Sequence, residues 1–421
     1  MSGRRRFRTS AVAVFLALAC IAAGCSSGGS GGGGTAASSS NPACTGAPLK
    51  FTSIASLSGP LSFPSLTTEA QNGLQAALKA VNGECALGRP IEVVQCDDKG
   101  DPNEATKCGR QAKDDGSIAL LGSSGSYPDG TSAANLPGVL TGGGSVFDLT
   151  DPRSFSISSP LTLVVGGAAT AAAAGVHDAL MVSIDSPITR TFVATSQEVA
   201  QGQDVKLDAL FIPPDTTDFA PVAAQIADRK PSALGLILTT QMVPFFNALA
   251  DENISPRDIP TFTAVILMAP EVLKQLGDKA DGVYLLTQQV PPSDKDNPGI
   301  QQMLKELEDA GLDANGDQMS PAATGAWANI HTLVDILKKL PPAEIATLDS
   351  AKIVDAMAKA GPINRPEIAP FDFTAPAFPD IASLASFRIF TRQAMVMRVE
   401  DGKYVRVSAF GDATKPFTLE N

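Results

Sequence analysis

The chain has 421 residues, of which 44% are hydrophobic and 5% aromatic, with 32 Lys+Arg against 44 Asp+Glu and a formal charge of −12. At roughly 100–200 residues per domain, this length fits two or three domains, and the apolar fraction is that of an ordinary globular protein. The composition excludes disorder over the whole chain, and the acidic charge argues against a nucleic-acid partner.

The N-terminus has the pattern of an export signal. Arginines at positions 4, 5, 6 and 8 precede an apolar run over 11–23. Thirteen helical residues reach roughly 20 Å, short of the roughly 30 Å hydrocarbon core, so the run predicts a cleaved leader instead of a membrane-spanning helix. Loss of residues 1–24 removes four arginines and no acid, which takes the formal charge from −12 to −16.

Residues 21–25, Ile-Ala-Ala-Gly-Cys, resemble a bacterial lipobox, in which Cys25 would receive diacylglycerol. The alternative is an ordinary secretory signal in which Cys25 is incidental. The tract that follows, 25–43, is rich in Gly, Ser, Ala and Thr, cannot bury a core and predicts a flexible tether with a span of roughly 23 Å. We therefore expect a protein held by acyl chains at the extracytoplasmic face of the cell membrane.

Four cysteines remain in the exported part: Cys44, Cys85, Cys96 and Cys108. An even number in an exported chain predicts disulfides, with three possible connectivities. A zinc site is the rival interpretation, but the sequence has no C-x-x-C pair and only two histidines. Cys44 and Cys85 each lie a few residues before a strand-like run, whereas Cys96 ends the second run and Cys108 lies in the next helix. The spacing favours Cys44–Cys85 and Cys96–Cys108.

From Leu49 onward, short apolar runs alternate with amphipathic segments. The runs are nearly continuous in Val, Ile and Leu, as in parallel strands covered on both faces; they lie at 50–55, 91–95, 118–121, 179–184, 207–211, 233–238, 261–267 and 282–286. Helical spacing between them, as at Ala70, Leu74, Ala77, Leu78 and Val81, indicates repeated βαβ units.

The last forty residues break this alternation. Strands are predicted at 387–390, 394–399 and 404–407, with Asp401-Gly402 as the turn of a hairpin. About nine to eleven parallel strands plus a hairpin exceed one comfortable sheet. The predicted fold is therefore α/β, with two Rossmann-like doubly wound lobes and a ligand cleft between them.

A succession of motifs carries a family resemblance. Leu-Ser-Gly-Pro at 57–60 follows the first strand, Gly-Arg-Pro-Ile-Glu-Val at 88–93 opens the second, and Leu-Gly-Ser-Ser-Gly-Ser at 121–126 ends the third. This succession resembles the branched-chain amino-acid-binding family of type I periplasmic binding proteins. The resemblance implies three crossings between lobes, with 44–165 and 288–383 in the N-terminal lobe and 166–287 and 384–421 in the C-terminal lobe.

Ligands of open α/β sheets bind at the carboxyl ends of strands, so the loops after the strands are candidate sites. After the third strand, Ser123, Ser124 and Tyr127 supply hydroxyls, and the backbone supplies N–H groups for a carboxylate. The resemblance implies ligand contacts for Ser123 and Ser124; a plain turn with an N-cap is the alternative.

The other strand ends add candidates that are equally typical of turns and helix caps: Ser58, Gly143, Ser145, Asp185, Ser186, Thr240 and Gln241. Few charges and few aromatic residues occupy these loops. This favours a neutral or monoanionic small ligand over a polyanion.

Catalytic motifs give little support to an enzyme. G-x-S-x-G occurs only at 28–32, inside the tether, and neither a P-loop nor HExxH is present. No catalytic residue, metal or cofactor is expected. We predict a solute-binding lipoprotein of an ABC importer that captures an amino acid or a related small carboxylate or amide, with a membrane permease as partner. The alternatives are a ligand-sensing receptor of the same fold that feeds a signalling system, and a secreted hydrolase.

Overall fold

The computed structural model describes residues 44–59, 62–124, 128–143 and 145–420. The predicted signal, Cys25, the tether and Tyr127 lie outside the described residues. None of the helices in the described ranges is long and apolar enough to span a bilayer.

The described residues form strands β1–β13: Leu49–Ala55, Ile91–Asp97, Ala119–Leu121, Gly138–Thr141, Ser154–Ser156, Asp178–Ile184, Lys206–Ile212, Ala233–Ile237, Thr261–Ala264, Tyr284–Thr287, Gln393–Glu400, Lys403–Arg406 and Gly411–Asp412. They also form helices α1–α13: Pro64–Glu84, Pro102–Asp114, Pro128–Ala134, Val146–Thr150, Pro160–Ala173, Pro187–Gln201, Ala220–Arg229, Met242–Asp251, Pro270–Leu276, Pro298–Ala310, Pro321–Leu337, Pro342–Ala346 and Ser350–Ala358. Strands and helices alternate as predicted until β10.

Two separate sheets organise the chain. The first is parallel, with the order β2-β1-β3-β4-β5. The second has the order β12-β11-β10-β9-β8-β6-β7; β6 to β10 are parallel, and β11 and β12 add antiparallel strands at one edge. The α/β fold with two lobes, predicted from the sequence, is confirmed.

Each sheet has its own core. In the first lobe, β1–β5 share one cluster with α1, α10, α11 and α13, so a late part of the chain returns to the first sheet. In the second lobe, two clusters cover the two faces of the sheet. Strands covered in this way need continuous apolar sequence, and all five residues of β8 are buried. The exact lobe boundaries given above remain a prediction.

A close crossing of α1 and α11 closes one side of the first lobe. A Cβ on Gly73 would lie 2.3 Å from the carbonyl oxygen of Ala323, so only glycine permits this approach. The crossing sets α1 and α11 side by side over the same face of the sheet.

Two disulfides close loops in the first lobe. Cys44 pairs with Cys85, and Cys96 pairs with Cys108. Both pairs are those favoured by the spacing of the cysteines.

Most predicted strands are present, and the differences have local causes. The hairpin forms at Asp401 and Gly402, whose φ values of 49° and 71° suit a two-residue turn. The strand predicted at 387–390 is wrong: the segment makes only an isolated bridge between Ile389 and Ser156. The strand predicted at 261–267 ends at Ala264, after which Val265–Leu267 forms a 3-10 turn.

Candidate ligand-binding site

A cavity of about 440 Å³ lies between the two lobes. The first lobe supplies the carboxyl ends of β1, β2 and β3 together with α1 and α11, and the second lobe supplies the residues that follow β8 and β9. We call this space the interlobe cavity. Its position at strand carboxyl ends is the one where open α/β sheets bind ligands.

The cavity forms where the core of the first lobe changes to smaller and more polar side chains. On the β1 face that covers the core, Phe51 is fully buried, whereas Ser53 and Ala55 line the cavity. On β2, Val93 is followed at the same face by Gln95. Because neither serine nor alanine reaches the opposite helices, a space remains between the sheet and α1 and α11.

The walls of the cavity are largely apolar. The second lobe contributes Val265, Ile266 and Leu267, and the side chain of Ile266 is 55% exposed. The first lobe contributes Leu57, Phe63, Leu66, Ala70, Leu74, Leu121, Pro321, Ala322, Ala326 and Ile330. Such a wall favours apolar solute surface.

Some polar side chains at the wall already have partners in the protein. The hydroxyl of Ser56 donates to Asp98 at 2.6 Å, and that of Thr239 donates to Gln241 at 3.1 Å. The hydroxyl of Ser320 donates to Glu69. These groups hold the wall in place and have less capacity for a ligand.

Asn329 differs, because its buried Oδ1 has no hydrogen-bond partner among the described residues. It lies on α11 and lines the cavity beside Gly122. A Cβ on Gly122 would lie 3.0 Å from Asn329 Nδ2, and the φ of +61° at Gly122 also favours glycine. The turn after β3 therefore leaves room for the Asn329 amide.

Two carboxylates bind near the N-termini of the two helices that line the cavity. Glu271 of α9 in the second lobe accepts from the N–H of Ser65 at 3.3 Å and from its hydroxyl, which satisfies a free N–H of the first turn of α1. Glu69 accepts from the N–H of Ser320, the N-cap residue of α11, at 2.8 Å. Burial raises the pKa of Glu69 despite its bonds from Ser320, and Glu271 and Asp313 add to the increase.

The structure separates the candidates in the loop after β3. Ser124 lines the interlobe cavity. Ser123 is buried and its hydroxyl accepts from the N–H of Ile54 at 3.1 Å, which fixes the loop to β1.

Three other candidates of the first lobe are not among the residues that line the cavity. Ser58 is exposed and donates to Asp97 at 2.5 Å. Gly143 has a φ of +60° and packs against the Ser158 carbonyl. Ser145 caps α4 in a reciprocal pair with Asp148, whose pKa is raised to about 6 by burial.

In the second lobe, Thr240 lines the cavity. Gln241 instead donates to the carbonyl of Pro214 at 2.7 Å and supports the loop. Asp185 forms an ion pair with Arg190 at 2.6 Å, and Ser186 caps α6. Of the ten ligand candidates, the structure thus brings Ser124 and Thr240 together at the cavity.

Sequence reasoning missed the helix wall and Asn329, because it searched the loops alone. A signal was available in the small or polar residues at core-facing positions: Ser53, Ala55, Gln95, Ala70 and Ala326.

Comparison with protein families matches residues 48–403 to a family described as periplasmic binding protein. The chain belongs to this family. A comparison with curated protein sequences finds no match.

Solved structures support the same fold. A solute-binding protein of an ABC transporter from R. palustris in complex with benzoate has 19% identity and a TM-score of 0.65, with 89% of this chain and 98% of that chain covered. A fatty acid ABC transporter substrate-binding protein from Thermomonospora curvata has 16% identity and a TM-score of 0.67, with 90% of this chain and 96% of that chain covered. A possible leucine/isoleucine/valine-binding protein from Rhodopirellula baltica SH 1 has 16% identity and a TM-score of 0.68, with 88% of this chain and 98% of that chain covered. Family and neighbours are binding proteins, not enzymes, and the identities support the fold without a specific ligand.

Proposed function

We propose that the chain is the extracytoplasmic receptor of an ABC importer and captures one small solute in the interlobe cavity. The observation that carries this proposal is a largely apolar cavity whose wall comes from both lobes at strand carboxyl ends. A solute there contacts Thr240 and Ile266 of one lobe and Ser124 and Ala70 of the other. It therefore stabilises the arrangement in which the lobes are close.

Contacts near the cavity link this arrangement to α1. Phe63 and Leu66 line the cavity and pack against the core of the second lobe, and Ser65 between them binds Glu271. Separation of the lobes would expose these apolar side chains and free the Ser65 N–H. A permease that recognises the closed lobes would thus distinguish the loaded receptor from the empty one.

We propose that the chain is anchored through Cys25 and the following tether, as the sequence predicts. Mass spectrometry of the protein from its producing cell should find an acylated Cys25 at the mature N-terminus. A Cys25→Ser variant should be released from the membrane fraction with its binding unchanged. An unmodified, freely secreted wild-type chain would contradict the anchor.

A thermal-shift screen tests the receptor function. The compounds are amino acids, amides, short carboxylic acids and aromatic acids, and one compound at 100 times its Kd should raise Tm by roughly 3 °C. Cells that lack the protein should fail to accumulate that compound, and the wild-type gene should restore uptake. Chemical conversion of the compound by the pure protein, or unchanged uptake without the protein, would refute the proposal.

A further inference from the structure

The charge of the solute can be inferred from the side chains around the interlobe cavity. Among the described residues that line it, no Lys, Arg, His, Asp or Glu is present. An ionised solute would exchange water for a largely apolar wall whose described residues carry no opposite charge, which is unfavourable.

Helix N-termini are the usual alternative partners for an anion, and those of α1 and α11 already bind protein carboxylates. Glu271 binds in the first turn of α1, and Glu69 binds the N-cap residue of α11. Both carboxylates also add to the raised pKa of the buried Tyr404 phenol, after the larger effect of burial. A solute carboxylate at either helix would meet like charge.

An ammonium group on the solute also has no opposite charge among the described residues that line the cavity. Neither Glu69 nor Glu271 belongs to the cavity wall, and both already accept hydrogen bonds from serines. Asn329 does line the cavity, and its buried Oδ1, a neutral acceptor, has no hydrogen-bond partner among the described residues. A buried acceptor without a partner is costly, so a donor on the solute that satisfies it gains affinity.

We infer that the solute is an uncharged molecule with an apolar body and a hydrogen-bond donor, as in a carboxamide or an alcohol, and that Asn329 receives this donor. The inference rests on the proposed function and makes it more specific. It departs from an amino acid or carboxylate, both of which carry a charge at neutral pH.

Charge-matched compounds test the inference on the full chain at pH 7.5. The two series are hexanamide, hexanoate and hexylamine, and benzamide, benzoate and benzylamine, with affinity measured by calorimetry. Within a series the amide should bind at least about tenfold more tightly than the anion and the amine. A carboxylate or amine that binds as tightly as its amide would overturn the inference while the receptor function stands. Absence of binding in both series would overturn the inference, and the uptake experiment above decides the receptor function separately.

Two variants separate the contributions of Asn329 and Glu69. Wild type should prefer hexanamide to 2-heptanone, which has no donor, and Asn329→Leu should lose that preference. Glu69→Gln keeps an acceptor for Ser320 but removes the charge, so it should gain several-fold affinity for hexanoate with little change for hexanamide. An unchanged amide preference in Asn329→Leu, or unchanged hexanoate affinity in Glu69→Gln, would refute the corresponding step. Unliganded melting curves verify that each variant is folded.

Discussion

Substitution of Ala70 by leucine tests whether the interlobe cavity is a space kept open for a solute. Ala70 lies on α1 and lines the cavity of about 440 Å³. Leucine adds three carbon atoms, and at about 0.8 kcal/mol per buried CH₂ the unliganded protein gains at most roughly 2.4 kcal/mol. Alanine and leucine have similar helix propensities, so the gain measures burial in the cavity. Tm should rise by up to roughly 3 °C.

The same substitution should remove solute binding, because the new side chain occupies the space that the solute needs. Ala80→Leu is the matched control, since Ala80 is half-buried on the same helix and does not line the cavity. The control should change stability by less than about 1 kcal/mol and retain the thermal shift with the solute. If Ala70→Leu lowers Tm and still binds the solute as wild type does, the cavity is not the binding space and the reasoning fails.

Three further measurements address the contacts around the site. Glu271→Gln weakens the contact between lobes at Ser65, so solute affinity should fall about 3- to 10-fold in calorimetry, and unchanged affinity would contradict a role in closure. Asp148, with its pKa raised to about 6 by burial, binds a proton more readily when folded, so wild type loses stability as pH rises from 3.8 to about 6. Asp148→Asn removes this loss. The difference in urea-unfolding free energy between the variant and wild type should therefore grow by roughly 3 kcal/mol from pH 3.8 to about 6. A difference that does not change with pH would contradict the raised pKa of Asp148. Replacement of Cys44 and Cys85 by serine opens a loop with a sequence separation of 41, and the free energy of unfolding should fall by roughly 4 kcal/mol; no loss would indicate that the pair is not bonded in the native protein.

Parallel strands and their helices were predictable because each is specified by local sequence. A strand covered on both faces needs a continuous apolar run, and residues 179–182 of β6 and the whole of β8 are such runs. The hairpin at Asp401-Gly402 was predictable from the same local chemistry, since both turn residues adopt positive φ. The two disulfides followed from the positions of the cysteines relative to these elements.

Short strands and edge segments depend on tertiary contacts, and there the sequence is less informative. β5 has only the three residues Ser154–Ser156, and its polar residues give no strand pattern; it forms because it pairs with β4. The segment 387–390 has the apolar character of a strand, yet Phe390 packs in the core of the first lobe. The centroids of the Phe390 and Phe373 rings lie 5.0 Å apart. Apolar side chains can be buried without a ladder of backbone hydrogen bonds, and local pattern does not separate the two outcomes.

The site was harder to predict than the fold because a polar residue at a strand end has several possible roles. Ser145 and Ser186 are helix caps and Ser123 fixes a loop to β1, whereas Ser124 and Thr240 are the candidates among the described residues that line the cavity. A hydroxyl near a helix N-terminus satisfies the protein's own N–H groups at least as readily as it binds a ligand. Under the proposed function, specificity depends on the opposite kind of residue: the small side chains that leave space beneath α1 and α11, and the one buried amide oxygen there for which the described residues provide no donor. In a binding protein of this fold, missing core volume and a missing hydrogen bond are thus more informative about the ligand than the polarity of the loops.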